Sequence, residues 1–322
     1  MKVLGLAVLL FACSCGQKHV QSTPPPLAKT AAKVAALPGL PVYDHVVIVI
    51  EENKDYGQIV DKPAAGYIND TLRAEGASFT QMFAEEHHSE GNYFWLFSGD
   101  NQNVGFKDVI PKNCFTTSNL GSQLIQAGRS FRGYSEDLPA VGSHVEKAPP
   151  HYARKHVPWV SFCDKAVSDS SNLRFADFPS DYSTLPTVSF VIPNLINDMH
   201  DGNVPDSVKA GDQWLRAKLD GYYQWAKQHN SLLIVTFDED DRATLLGGLT
   251  DPGSSNLDQK NLIATIFAGA HIKHTEYTTS VTHVNILRTI EAMYGLEKSG
   301  AQAKNAVKAG IPDDRIITDI FE

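Results

Sequence analysis

The stretch DHVVIVI, residues 44–50, constrains the fold of this chain more than any other feature. An unbroken β-branched apolar run fits neither a surface strand, which would alternate, nor a helix, which β-branched side chains disfavour. It predicts a central strand buried on both faces, and such strands belong to parallel sheets covered by helices. TVSFVIPN (187–194), SLLIVTFDEDD (231–241) and LIATIFAG (262–269) repeat the pattern, and FRGYSE (131–136) reads as a further strand. Between them AAGYINDTLRAEGA (64–77), NLGSQLIQAG (119–128), DSVKAGDQWLRAKLDGYYQWAKQ (206–228) and HVNILRTIEAMYG (283–295) read as helices, the last with Ile286, Ile290 and Met293 at helical spacing. Strand and helix alternate nearly to the end of the chain, which predicts an α/β fold: a mostly parallel central sheet flanked by helices, in a single domain.

Such a fold binds its ligand beyond the carboxyl ends of its strands, so chemistry should follow each apolar run. Strand 44–50 delivers Glu51, Glu52 and Asn53; strand 187–192 delivers Asn194 and then Asn197, Asp198, Met199, His200 and Asp201; strand 232–237 delivers Asp238 to Asp241. Any loop offers polar residues, so one cluster alone says little. Three oxygen-rich clusters on one predicted edge suit a divalent cation, which relieves their mutual repulsion. Glu52, Asn53, Asp238 and Glu239 are the candidate ligands. The segment HHSEGNYFWLFSGD (87–100) supplies a nucleophile, because Ser89 opens a stretch too aromatic for a surface loop. At the start of a buried helix it would have free backbone N–H groups and the positive dipole end beside it; a mere N-cap is the plainer alternative.

Twenty-eight basic against 37 acidic residues give a net charge of −9, and no basic run is present, which argues against nucleic acid as a partner. MKVLGLAVLLFACSCG has the layout of an export signal over residues 1–15, too short to span a bilayer. Leu10 to Cys13 resembles a bacterial lipobox, which would acylate Cys13 and hold the protein, exported to the periplasm or cell envelope, on a membrane by lipid alone. Residues 16–41, with Pro24, Pro25, Pro26, Pro38 and Pro41, read as a tether, and 42–322 as the catalytic domain. In an exported protein Cys114 and Cys163 either form a disulfide or are two separately buried thiols.

Several motifs occur in one order from about Asp44 to Gly295. They are Glu-Asn after the first strand, HHSEGNY followed by SG, YSEDLP, YARKHVPWVSF, NDMHDG, GDQWL, TFDE and HVNILRTIE. Together they resemble the acid phosphatase branch of the phosphoesterase family, which also contains bacterial phospholipases C and has an alkaline-phosphatase-like fold. The resemblance implies that Glu52, Asn53, Ser89, Asp238 and Glu239 hold a metal ion and that Ser89 bonds phosphorus. It also implies that Asn92 contacts the phosphoryl oxygens, and that His200 with Asp201, and His283, meet the substrate phosphate or the leaving group. A Glu-Asn pair in place of two aspartates implies one divalent ion of unspecified identity. Relatives carry Pro where this chain has His88 and Gly91, which leaves the geometry around Ser89 open. The implied activity is metal-dependent hydrolysis of small phosphate monoesters through a phosphoserine; the alternatives are a phosphodiesterase or phospholipase C, and a lipoprotein that binds phosphate ligands without turnover. The signatures G-x-S-x-G, H-E-x-x-H and a P-loop are absent from the sequence.

Overall fold

The computed structural model describes residues 37–104, 108, 110, 115–163, 166–241 and 261–322. The export signal with Cys13, the tether as far as residue 36, and Cys114 lie outside the described residues; Cys163 is disulfide-bonded. Residues Lys33–Glu322 form one compact unit. The end of the segment read as a tether is docked on it: the Leu37 N–H donates to the Ala292 carbonyl, and Leu40 is buried in the core. Among the described residues no helix is long and apolar enough to cross a membrane.

Twelve strands are described: β1 (His45–Glu51), β2 (Ala77–Phe79), β3 (Met82–Phe83), β4 (Phe131–Ser135), β5 (Lys147–Ala148), β6 (Tyr152–Ala153), β7 (Asn172–Arg174), β8 (Val188–Ile192), β9 (Ser231–Phe237), β10 (Thr265–Gly269), β11 (Thr275–Tyr277) and β12 (Val281–Thr282). Eight of them build one sheet in the order β11-β2-β10-β9-β1-β8-β4-β7, and only β10 runs against the rest. The expected mixed α/β architecture with a large, mostly parallel sheet is therefore the observed one. β1 lies between β8 and β9 and is buried from Val46 to Glu51, which is why its side chains need no alternation. Register places Val49 opposite both Val191 and Val235, so the ends of β1, β8 and β9 open onto the same edge.

The aromatic run after Ser89 forms the Ser89–Ser98 helix and ends on Gly99, whose φ of 63° favours a residue without a side chain. Phe97 packs against Phe131 of β4 and Phe190 of β8, and Trp95 on the other flank meets the Ala303, Ala306 and Ile311 cluster. Apolar contacts all round make this a buried helix, and they fix Ser89 at its first position over the sheet edge. The Asp206–Ala226 helix packs on β9 and β10, and the His283–Tyr294 helix on the Ser89–Ser98 helix.

Candidate active site

Three strand ends and one helix start converge on Glu52. Its backbone N–H donates to the Asp198 carbonyl at 2.7 Å, which ties the loop after β8 to β1. Its side chain accepts from the Ser89 hydroxyl at 3.0 Å, the Asn53 amide at 2.9 Å and the Tyr93 hydroxyl at 2.5 Å. Asp238, at the end of β9, accepts the backbone N–H of Asn53 at 2.9 Å and that of Glu239 at 2.7 Å. Glu239 lies 3.5 Å from the Ser89 hydroxyl and accepts from the His88 N–H at 2.8 Å, while its other partner is His87 Nδ1 at 2.7 Å. The five residues expected as metal ligands, Glu52, Asn53, Ser89, Asp238 and Glu239, thus meet in one place.

Two residues the sequence reading did not single out complete the group. His156 brings Nε2 to 3.1 Å from Glu52 and Nδ1 to 3.6 Å from Asp198. Glu52, His156 and Asp198 form a buried set whose ligand atoms all lie within 4.8 Å of one another. His156 stands inside the motif YARKHVPWVSF, where the Trp159 indole fills the space beside Gly133 of β4 and donates to Asn172 at 3.0 Å, anchoring the turn. A Cβ at position 133 would fall 2.0 Å from that ring, so glycine is required there by close approach. Asp198 belongs to the cluster after β8, within which sequence favoured His200 and Asp201 instead.

The electrostatics are those of an uncompensated acidic site. Burial, followed by the charges of Asp238 and Asp198, pushes Glu52 well above the ordinary carboxylate range; burial does the same to Asp198 and Glu239, with Asp238 adding to both. Burial drives His156 the opposite way, well below the usual imidazole value, with Lys155 and His200 reinforcing it. His156 Nε2, Asp198 Oδ2 and Asp238 Oδ2 are buried without a hydrogen-bond partner. A neutral imidazole and carboxylate oxygens, with the ligand atoms of Glu52, His156 and Asp198 within 4.8 Å of one another, are a donor set that a divalent cation satisfies, so the residues fit the expected metal.

The backbone is unusual at the same place. Asn53, His88 and Met199 have φ of 52°, 80° and 76°. Lys54 holds two of them, donating to the carbonyls of Asn53 at 3.0 Å and Met199 at 2.7 Å. A proline is locked near −65° and cannot take the angle of His88, so the entry to this helix excludes proline at position 88. Gly91 has a separate reason: a Cβ there would fall 1.6 Å from Glu86 Oε1, whose carboxylate accepts from the Asn101 amide at 2.9 Å.

The remaining expected contacts divide. His200 lies at the rim, about one-third exposed, with Nδ1 held by Asp201 at 2.8 Å and its ring centroid 6.3 Å from that of His156. Asn92 and His283 are committed elsewhere. The Asn92 amide donates to the Glu86 carbonyl at 2.6 Å and accepts the Glu86 N–H at 3.2 Å, bracing the turn before the helix. His283 is buried with Nδ1 on Glu85 and Nε2 on the Phe237 carbonyl, both at 2.8 Å. It steadies the residue preceding Asp238 and offers no nitrogen to a substrate.

A model described as the Phosphoesterase family matches residues 62–297. The chain belongs to the phosphoesterase family. It is 47% identical over 267 residues to a protein of Mycobacterium tuberculosis (strain ATCC 25618 / H37Rv) named phosphatidylinositol-3-phosphatase, covering 82% of this chain and 81% of that one. A phosphate-repressible acid phosphatase of Penicillium chrysogenum is 30% identical over 313 residues, covering 90% of this chain and 70% of the relative. A solved protein of the alkaline phosphatase superfamily from Vibrio parahaemolyticus superposes with a TM-score of 0.53 at 12% identity, covering 87% of this chain and 72% of that one. The resemblance drawn from the ordered motifs, and the fold it implied, are borne out. This phosphoesterase is an enzyme of the phosphoric ester hydrolase class.

Proposed function

We propose that this enzyme hydrolyses phosphate monoesters through a phosphoserine at Ser89, with a divalent metal ion as its cofactor. The observation that carries the reading is the Ser89 hydroxyl set between Glu52 and Glu239 inside a buried carboxylate cluster that has unmatched ligand atoms. Glu52, Asn53, Asp238 and Glu239 with Ser89, and His156 with Asp198, would hold the ion. When bound, it lowers the pKa of the serine hydroxyl and neutralises phosphoryl charge.

Ser89 attacks phosphorus while Glu52, its hydrogen-bond acceptor at 3.0 Å, takes the hydroxyl proton. The bond from phosphorus to the ester oxygen breaks, and the departing alcohol takes a proton at the rim from His200, which Asp201 orients. Water then attacks the phosphoserine and gives its proton to His200, while Glu52 returns the first proton to the Ser89 oxygen as the bond to phosphorus breaks and inorganic phosphate leaves. Tyr93, donating to Glu52 and stacked on His156 with ring planes 10° apart, holds the base against the histidine.

Monoesters are favoured by the names of the relatives, which makes a phosphorylated inositol lipid headgroup the first natural substrate to assay. The test is an acid quench of enzyme with p-nitrophenyl phosphate followed by peptide mass analysis. One phosphoryl group on Ser89 is expected, with turnover reduced by at least about 10⁴-fold in Ser89→Ala. Full activity in Ser89→Ala would overturn the reading.

A further inference from the structure

Lys155 has no place in the scheme above, yet it is a cation at the edge of the site, next in sequence to His156. Its charge is felt by Glu52, Asp238 and Glu239. The Lys155 ammonium donates to Asp108 Oδ2 at 2.8 Å, and Asp108 Oδ1 accepts the backbone N–H of Glu90 at 3.2 Å. One carboxylate therefore bridges a partly buried cation to the backbone amide of the residue that follows Ser89. The next residue after Lys155, His156, turns its unpaired Nε2 toward Glu52.

That bridge has the chemistry of a bound phosphoryl group: two acceptor oxygens, negative charge, one oxygen on a backbone N–H and one on an ammonium. A phosphate that displaced Asp108 would find the same two donors, one of them on the residue next to Ser89. We propose that Lys155 is the substrate-binding residue that pairs with the second negative charge of a phosphate monoester, and that Asp108 competes with the phosphate for it. The inference rests on the phosphomonoesterase reading and deepens it by assigning a source for monoester preference. A monoester at neutral pH is a dianion and a diester a monoanion, so one added fixed cation favours the monoester.

The test is inorganic phosphate binding by titration calorimetry, on the full chain with its metal, in the Ser89→Ala background where turnover does not interfere. Lys155→Met should weaken phosphate by about tenfold or more, Lys155→Arg should retain most of the affinity, and Asp108→Asn should tighten it several-fold. With Ser89 present, Lys155→Met should raise KM for p-nitrophenyl phosphate about tenfold and change the bis-ester by less than about threefold. Unchanged phosphate affinity in Lys155→Met, or weaker affinity in Asp108→Asn, overturns the proposal. Should Lys155→Met fail to fold, the Asp108→Asn titration decides alone. Turnover surviving in Ser89→Ala would instead sink the phosphoserine mechanism and leave the phosphate affinities standing as a separate result.

Discussion

Two clusters of buried charge in this molecule have opposite designs. On the His283–Tyr294 helix, Arg288 is 1% exposed and donates to Glu291 at 2.8 Å, Asp313 at 2.7 Å and the Ser299 carbonyl at 2.9 Å. Glu291 takes the Ser299 N–H at 2.7 Å and its hydroxyl at 2.5 Å on its other oxygen. Every carboxylate there meets a donor, and a guanidinium supplies the opposing charge. Around Glu52 the carboxylates face one another, Asp198 Oδ2 and Asp238 Oδ2 have no donor, and the nearby histidine is held neutral by burial. A buried acidic cluster without an opposing charge is costly, so the first arrangement serves the fold and the second has the donor set proposed above for a cation.

The largest expected effect separates the two clusters by activity and stability at once. Asp198→Asn keeps the acceptor for the His200 N–H and removes one buried negative charge. Its kcat/KM should fall by about 10²–10³-fold while its unfolding free energy in chelator stays equal or rises. Arg288→Met should do the reverse, losing about 3–5 kcal/mol of stability because Glu291 is left buried and unpaired, with kcat of the folded fraction unchanged. Urea unfolding and steady-state kinetics on both variants decide it, and equal destabilisation by the two substitutions would erase the distinction.

A smaller effect concerns the edge of the acidic cluster. Burial raises Glu86 from 4.5 to about 8, with the charges of Glu85 and Glu239 adding to it and hydrogen bonds from Asn101 and Trp95 opposing it. A carboxyl whose folded pKa is raised binds its proton more tightly in the native state than in the unfolded chain. Its stabilising contribution is complete below about pH 4.5 and is lost as pH climbs toward 8. Thermal unfolding should accordingly show wild type losing roughly 3 kcal/mol more than Glu86→Gln between pH 5 and pH 8.5. Parallel pH profiles for the two proteins would show that Glu86 does not titrate in this range.

The smallest is packing alone. In Gly91→Ala the new methyl group must push the Glu86 carboxylate off the Asn101 amide, at a cost of about 1–3 kcal/mol measured by chemical denaturation. Alanine tolerated at no cost would mean that the Glu86 side chain moves aside freely, and Gly91 would then have no steric reason.

The sheet was legible because strand signals here are long and continuous. The run from Val46 to Ile50 has one stable solution, a strand with both faces covered, and the topology then sends Glu52, Asp198 and Asp238 to the same edge. Ser89 was legible because only a buried helix accommodates Tyr93, Phe94 and Phe97 in succession. The site was harder to read where several polar residues compete within a cluster. Asp198 and Asp201 are three positions apart in one loop, yet the first is fully buried against Glu52 and the second stays at the rim with His200. Nothing in NDMHDG distinguishes them, since the turn is set by the Met199 conformation and by the ammonium of Lys54, which comes from the loop after β1.

By itself, then, the sequence determined the α/β class, the edge on which polar residues gather, the serine that opens the buried helix and the acidic residues that meet it, because periodicity and residue type follow from local sterics and burial. Tertiary structure alone decided which side chains are free to act. Asn92 and His283 carry suitable groups, but the Glu86 backbone, Glu85 and the Phe237 carbonyl occupy their polar atoms. His156 and Lys155 became part of the site only when Trp159, packed against Gly133, carried their turn to Glu52. Whether a polar atom is engaged depends on what lies within three ångströms of it, and for these residues the neighbours come from distant parts of the chain.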